Sequence, residues 1–197
     1  MVNSGSTGSV MRLILGKVEG SCGHDRYMSF ARGQLLVATP AIDQGPFLRS
    51  VVYLLDHDHD GALGVILNHP LDSDVDSVLP GWADWVKTPT CIFAGGPVAA
   101  DSALAVGVIE EGAHPQGWLQ MSGQVGLVDL DGPLPSRGQF AGLRVFAGYA
   151  GWSAGQLEDE IAEGSWLLLD AHLSDVFSPR PENLWREVLA RQTGDTR

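Results

Sequence analysis

Short apolar runs that stop at glycine or proline recur along this chain. They include "QLLVAT" (34–39) before Pro40, "TCIFAGG" (90–96) before Pro97, and "LRVFAGYA" (143–150) before Gly151. Runs of four to eight residues rich in β-branched and apolar side chains, closed by turn formers, read as buried strands. Glycine is abundant, at 25 of 197 residues, and much of the excess sits at these boundaries. The first constraint is therefore a sheet with many tight strand exits, where a side chain would obstruct the turn.

"SVVYLLDH" (50–57) and "ALGVILN" (62–68) are separated by Asp58-His59-Asp60-Gly61. Four turn-forming residues ending in glycine join such runs as a hairpin. "SALAVGVIE" (102–110), "WLQMSG" (118–123), "VGLVDL" (125–130) and "SWLLLDA" (165–171) supply further strands. Short helical turns broken by Pro80-Gly81 are expected over 73–86, a helix over about 154–163, and a closing helix over about 181–192. Strands and helices do not alternate strictly, so the class is α+β rather than a doubly wound sheet. One domain over residues 34–197 is expected, preceded by a poorly ordered tail over 1–33, whose first nine residues have linker composition.

The net charge of −12, from 24 acids against 12 bases, disfavours autonomous nucleic-acid binding, which draws its affinity from clustered Lys and Arg. No apolar run reaches the length of a membrane span, and "LIL" (13–15) is too short for a secretory signal. Cys22 and Cys91 suggest neither a disulfide framework nor zinc spacing. These features point to a cytoplasmic protein that needs no cofactor and has no membrane association.

Gly151-Trp-Ser153-Ala-Gly155 is a literal G-x-S-x-G between an apolar run and a helical pattern, the signature of a nucleophile elbow. Only one histidine, His172, follows it, and Asp159 and Asp170 are the aspartates between the two. That is a poor supply for a triad. Ser153 and Gln156 also form S-x-x-Q, a capping box in which the serine accepts from the third helical amide and the glutamine reaches back. Glu158, Asp159 and Glu160 then suit the positive end of the helix dipole. Helix capping by Ser153 and Gln156 is the expected role.

"DHDHDG" (56–61) with His69 gathers three histidines and three acids. In the expected hairpin His57 lies opposite Ala62, which separates it from His69 by roughly 23 Å. A solvated turn is expected there, with no metal. Gly95-Gly96-Pro97 lacks the Lys and Ser/Thr of a phosphate loop. It reads as a tight turn, and the six tryptophans are too widely spread in sequence to define a stacking platform.

Three ordered blocks resemble the YqgE/AlgH family of bacterial proteins. The first spans 38–70 and matches in Pro40, Phe47, Arg49 to Tyr53, His57, Gly61, Gly64, Asn68 and Pro70. The others are "IFAGGPV" (92–98) and "VFAGYAGWSAGQLEDEIAEGSWL" (145–167). The resemblance covers about Gln34 to Leu189. It implies a bifurcated, partly barrel-like mixed β-sheet flanked by helices, a cytoplasmic location, and a transcriptional-regulator label without catalytic residues. In that family the position of Ser153 also holds Gly or Thr. His69 replaces a usual base, and His59 and Asp60 are peculiar to this turn.

The expectation is a non-enzymatic regulatory or interaction protein acting through a protein or small-molecule partner. The alternative is a small-ligand-binding protein, or a minor serine hydrolase built on the Gly151–Gly155 turn. Its binding surface would involve Asn68, Gly95, Gly96, Pro97, Gly148, Tyr149, Gly151, Trp152 and Gln156, where glycine lets a ligand approach the backbone.

Overall fold

The computed structural model describes residues 31–194. Ten strands follow in chain order: β1 (Gln34–Ala38), β2 (Val51–Asp58), β3 (Gly61–Ile66), β4 (Pro70–Asp74), β5 (Cys91–Ala94), β6 (Val98–Ile109), β7 (Trp118–Ser122), β8 (Val125–Val128), β9 (Phe140–Ser153) and β10 (Trp166–Asp170). The helices are α1 (Val75–Val78), α2 (Gln156–Ala162), α3 (Leu173–Val176) and α4 (Pro181–Gly194), with a 3-10 turn at Ala83–Trp85. The fold is α+β, a mostly antiparallel curled sheet forming a half-barrel. The main path runs β10-β1-β2-β3-β9-β6-β8-β7.

The sheet forks at β9. One edge of β9 pairs along its length with β6, from Ile109↔Phe140 to Val98↔Tyr149. The other edge is shared. β3 pairs antiparallel with residues 150–153, whereas β5 runs parallel to Phe146 and Ala147. Among the described residues β4 then pairs only with β5. The bifurcation has a simple cause: β9 is 14 residues long, against six for β3 and four for β5, so two short strands fit end to end against it. Curling brings β7 towards β2, where the Tyr53 hydroxyl bonds Ser122 and burial pushes its pKa up.

The core divides accordingly. One cluster joins Leu35, Val37, Tyr53, Leu55, Val106 and Phe146 to Leu184 and Val188 of α4. A second, with Leu36, Leu54, Trp152, Leu157 and Trp166, lies beneath α2. A third joins Val75, Trp82 and Val86 to Leu143 and Val145. β9 feeds all three.

The hairpin turn is tighter than the sequence suggests. Asp58 pairs with Gly61, leaving His59 and Asp60 as a two-residue loop, and His57 lies opposite Ala62 as expected. Two larger corrections apply. Ala31 to Gly33, assigned above to the tail, belong to the domain: Ala31 is buried, Arg32 pairs with Asp56, and the Gly33 amide donates to Leu54 O at 2.8 Å. The rest of that segment, Cys22 included, lies outside the described residues. Gly151, Trp152 and Ser153 are strand rather than turn, opposite Leu63, Ala62 and Gly61. The free edge of the β2–β3 hairpin recruits them, which outweighs the local preference of glycine for a turn.

Candidate functional site

The stretch around Ser153 forms a closed polar network. The strand ends at Ser153, and the helix N-cap is Gly155, in left-handed conformation at φ 77° and without a side-chain cap bond. The expected capping box is therefore only half present. Gln156 Oε1 accepts from the Ser153 amide at 3.0 Å, as anticipated. The Ser153 hydroxyl does not accept from a helical amide; it donates to the same Gln156 Oε1 at 3.0 Å. Extension of the strand through Ser153 moves the cap two residues downstream.

Gln156 Nε2 in turn donates to Glu160 Oε1 at 2.9 Å. The other Glu160 oxygen accepts from both indoles, Trp152 Nε1 at 2.9 Å and Trp166 Nε1 at 2.8 Å. Phe47 completes an aromatic triad, with ring centroids 5.9 Å from Trp152 and 5.5 Å from Trp166. A carboxylate holding two buried indole donors satisfies groups that would otherwise be costly to bury. Glu158 reaches the other way, with Oε1 2.8 Å from His57 Nε2. The pattern W-S-x-x-Q-x-x-x-E thus fastens α2 to the sheet.

His172 takes no part. It sits at the N-terminus of α3, its Nδ1 3.0 Å from Arg191 Nη1. Asp175 accepts from the His172 amide and holds Arg191 through both carboxylate oxygens, at 3.0 and 2.9 Å. The serine and the histidine of the hydrolase reading have separate partners.

Three glycines of the candidate binding surface, Gly95, Gly96 and Gly148, meet at the fork, and backbone fills the room they leave. A Cβ on Gly95 would stand 2.2 Å from Gly148 O, one on Gly96 2.3 Å from the Tyr149 carbonyl, and one on Gly148 2.7 Å from Gly96 O. These residues permit three strands to cross closely. Backbone occupies the space beside them. Tyr149 and Trp152 are buried, while Pro97 and Gly151 are exposed. Asn68 is a brace: its Oδ1 accepts from Val51 N at 2.8 Å and its Nδ2 donates to Arg49 O at 2.9 Å. It steadies Arg49, whose φ of 51° is unusual for a non-glycine residue. His69, alongside, has its pKa lowered by burial. At the hairpin tip Asp58, His59 and Asp60 place ligand-type atoms within 4.8 Å of one another, at or near solvent.

Two features escaped the sequence reading. Arg144 is wholly buried. Its guanidinium donates to Val176 O at 3.0 Å, Ser178 O at 2.8 Å and Thr88 O at 3.3 Å, and lies 4.3 Å from the Phe93 ring centroid. Burial pulls its pKa down to about 10, so it stays charged at neutral pH. Nothing in "GLRVF" signals this, because its acceptors are carbonyls of distant segments. The second is an open cleft of about 320 Å³ between the 3-10 turn and the start of β9. It is lined among others by Asp84, Trp85, Lys87, Arg137 and Phe140. Trp85 and Lys87 lie two residues apart in "DWVK", but Arg137 arrives from fifty residues away.

A family model described as AlgH-like matches residues 35–197. The chain belongs to the AlgH-like family. A protein of Streptomyces avermitilis named UPF0301 is 52 % identical over 173 residues, covering 85 % of this chain and 90 % of that one. A UPF0301 protein of Mycobacterium tuberculosis is 42 % identical over 164 residues, covering 81 % of each. Among solved structures, a Corynebacterium diphtheriae protein matches with a TM-score of 0.76 at 31 % identity, over 86 % of this chain and 90 % of its own. The solution structure of AlgH from Pseudomonas aeruginosa matches with a TM-score of 0.63 at 25 % identity, over 88 % and 94 %. Among the described residues no helix is long and apolar enough to cross a membrane.

Proposed function

We propose that this AlgH-like protein is a non-enzymatic, cytoplasmic regulatory or interaction protein that works by docking a protein partner on β10. The supporting observation is the edge itself. β10 ends the sheet and pairs only with β1 among the described residues. Leu167 and Leu168, which point to opposite faces, are each 37 % exposed, and Leu173 just beyond is 46 % exposed. An edge strand with apolar residues on both faces is a template for strand addition. Glu163 and Asp170 flank it, and the whole chain carries −12. The fitting partner is an extended segment with apolar residues bounded by basic ones.

The engagement of Ser153 with Gln156 supports the non-enzymatic part. Any influence on transcription passes through the partner, since the acidic surface repels phosphates. A photo-crosslinker placed in living cells at Leu168 should give a discrete protein adduct, and one at Leu134, which is 47 % exposed, should not. Identical adduct patterns at the two sites would defeat the docking surface. So would salt-sensitive, sequence-selective DNA binding by the purified chain. An esterase activity abolished by Ser153→Ala would defeat the non-enzymatic reading.

A further inference from the structure

We propose that the cleft between the 3-10 turn and β9 binds a small anion that carries a planar ring, an aromatic carboxylate or phosphomonoester. This inference is independent of the β10 surface. The volume of about 320 Å³ lies at the lower end of the range for small-molecule sites, and such sites pair apolar walls with a few placed polar groups. Here the apolar part is Trp85, half-buried, with buried Phe140 beside it. A planar ring stacks on such a surface.

The polar part is cationic, which is unusual for this molecule. The protein has 12 bases against 24 acids, yet two of the bases, Lys87 and Arg137, line this one cleft. Lys87 is positioned by its backbone and its stem. Its amide donates to Leu143 O at 2.9 Å, beside the parallel bridge between Val86 and Leu143. Its methylenes lie on Gly142, where an added Cβ would stand 2.3 Å from Lys87 Cε. The stem therefore occupies the room glycine leaves, and the ammonium forms no ion pair among the described residues. A long side chain anchored along its stem with a free charged head is prepared for an anion.

Arg137 is held only loosely. Its Nη2 is 3.3 Å from Asp84 Oδ2, with the side chains 88 % and 70 % exposed. Exposed pairs of this kind contribute little, so a ligand that takes both guanidinium donors can replace Asp84. An uncharged aromatic would leave the Lys87 ammonium unmatched. Inorganic phosphate would leave Trp85 uncovered.

Isotope-labelled protein titrated with phenyl phosphate and with benzoate tests this, with phenol and inorganic phosphate as single-feature controls. Saturable shifts of the Trp85 indole N–H and the Lys87 and Gly138 amides are expected for both ring-bearing anions, at least ~10-fold weaker for either control. Lys87→Met, which keeps the stem, and Arg137→Gln should each weaken binding by roughly ten-fold, with spectra otherwise unchanged. No saturable shift at Trp85 up to about 5 mM of either ring-bearing anion would overturn the proposal. Undiminished binding in the double variant would do the same, as would phosphate alone binding as tightly as phenyl phosphate.

Discussion

The C-terminal half of β9, Gly148–Ser153, uses its polar groups to hold a neighbouring helix, whereas the N-terminal half, Phe140–Ala147, buries a cation and walls a cleft. In the first, glycines bring backbones into contact at the fork, and the Ser153–Gln156–Glu160 network locks α2 over the two indoles. In the second, Arg144 ties α3 and the Thr88 loop to the sheet through carbonyls, and Gly142 makes room for Lys87. One strand thus does two kinds of work. Where backbone and helix crowd it, its polar groups are consumed by structure. Where only a 3-10 turn and a loop cover it, space and charge remain.

The sharpest way to break this contrast is at the fork. Gly148 has φ 72°, and a Cβ there would lie 2.7 Å from both Gly96 O and Val98 O. Gly148→Ala combines a left-handed backbone with backbone overlap, and a loss of about 4 kcal/mol in denaturant-induced unfolding is expected. A neutral outcome would mean that the crossing can open. Next comes Arg144. Arg144→Met leaves the buried Val176 and Ser178 carbonyls and the partly buried Thr88 carbonyl without their donor, at a cost of about 3 kcal/mol. Arg144→Lys keeps the charge but loses the planar fork that serves three acceptors and stacks on Phe93, so it should fall between wild type and the methionine variant.

Local pattern revealed the strands because their information is local. "QLLVAT" and "SVVYLLDH" are bounded by their own turn formers, and β1 and β2 match them within a residue. β4 was missed because "PLDSD" has no apolar period and every residue in it is exposed; it is a strand only because β5 offers an edge. The same distinction applies to the sites. Gln156 reaching Ser153 spans three residues and was legible. Arg144 is satisfied by Thr88, Val176 and Ser178, and Arg137 meets Asp84 from 53 residues away. Such partners are chosen by the fold, and no spacing rule encodes them.

The smallest expected effect is also the most diagnostic for the G-x-S-x-G stretch. If Ser153 capped α2, its removal would cost about 1 kcal/mol. In the observed arrangement the Ser153 amide still donates to Gln156 Oε1 after the hydroxyl is gone, and the side chain is exposed. Ser153→Ala should therefore change stability by less than ~0.5 kcal/mol. Gln156→Ala removes the acceptor for that amide and a donor to Glu160, and should cost about 1 kcal/mol. The indole N–H resonances of Trp152 and Trp166, both bonded to Glu160, report on the network directly. They should hold still in Ser153→Ala and move in Gln156→Ala. A serine variant that moved them and lost a full kilocalorie (~1 kcal/mol) would restore the capping role to Ser153 and shift the start of α2 back to it.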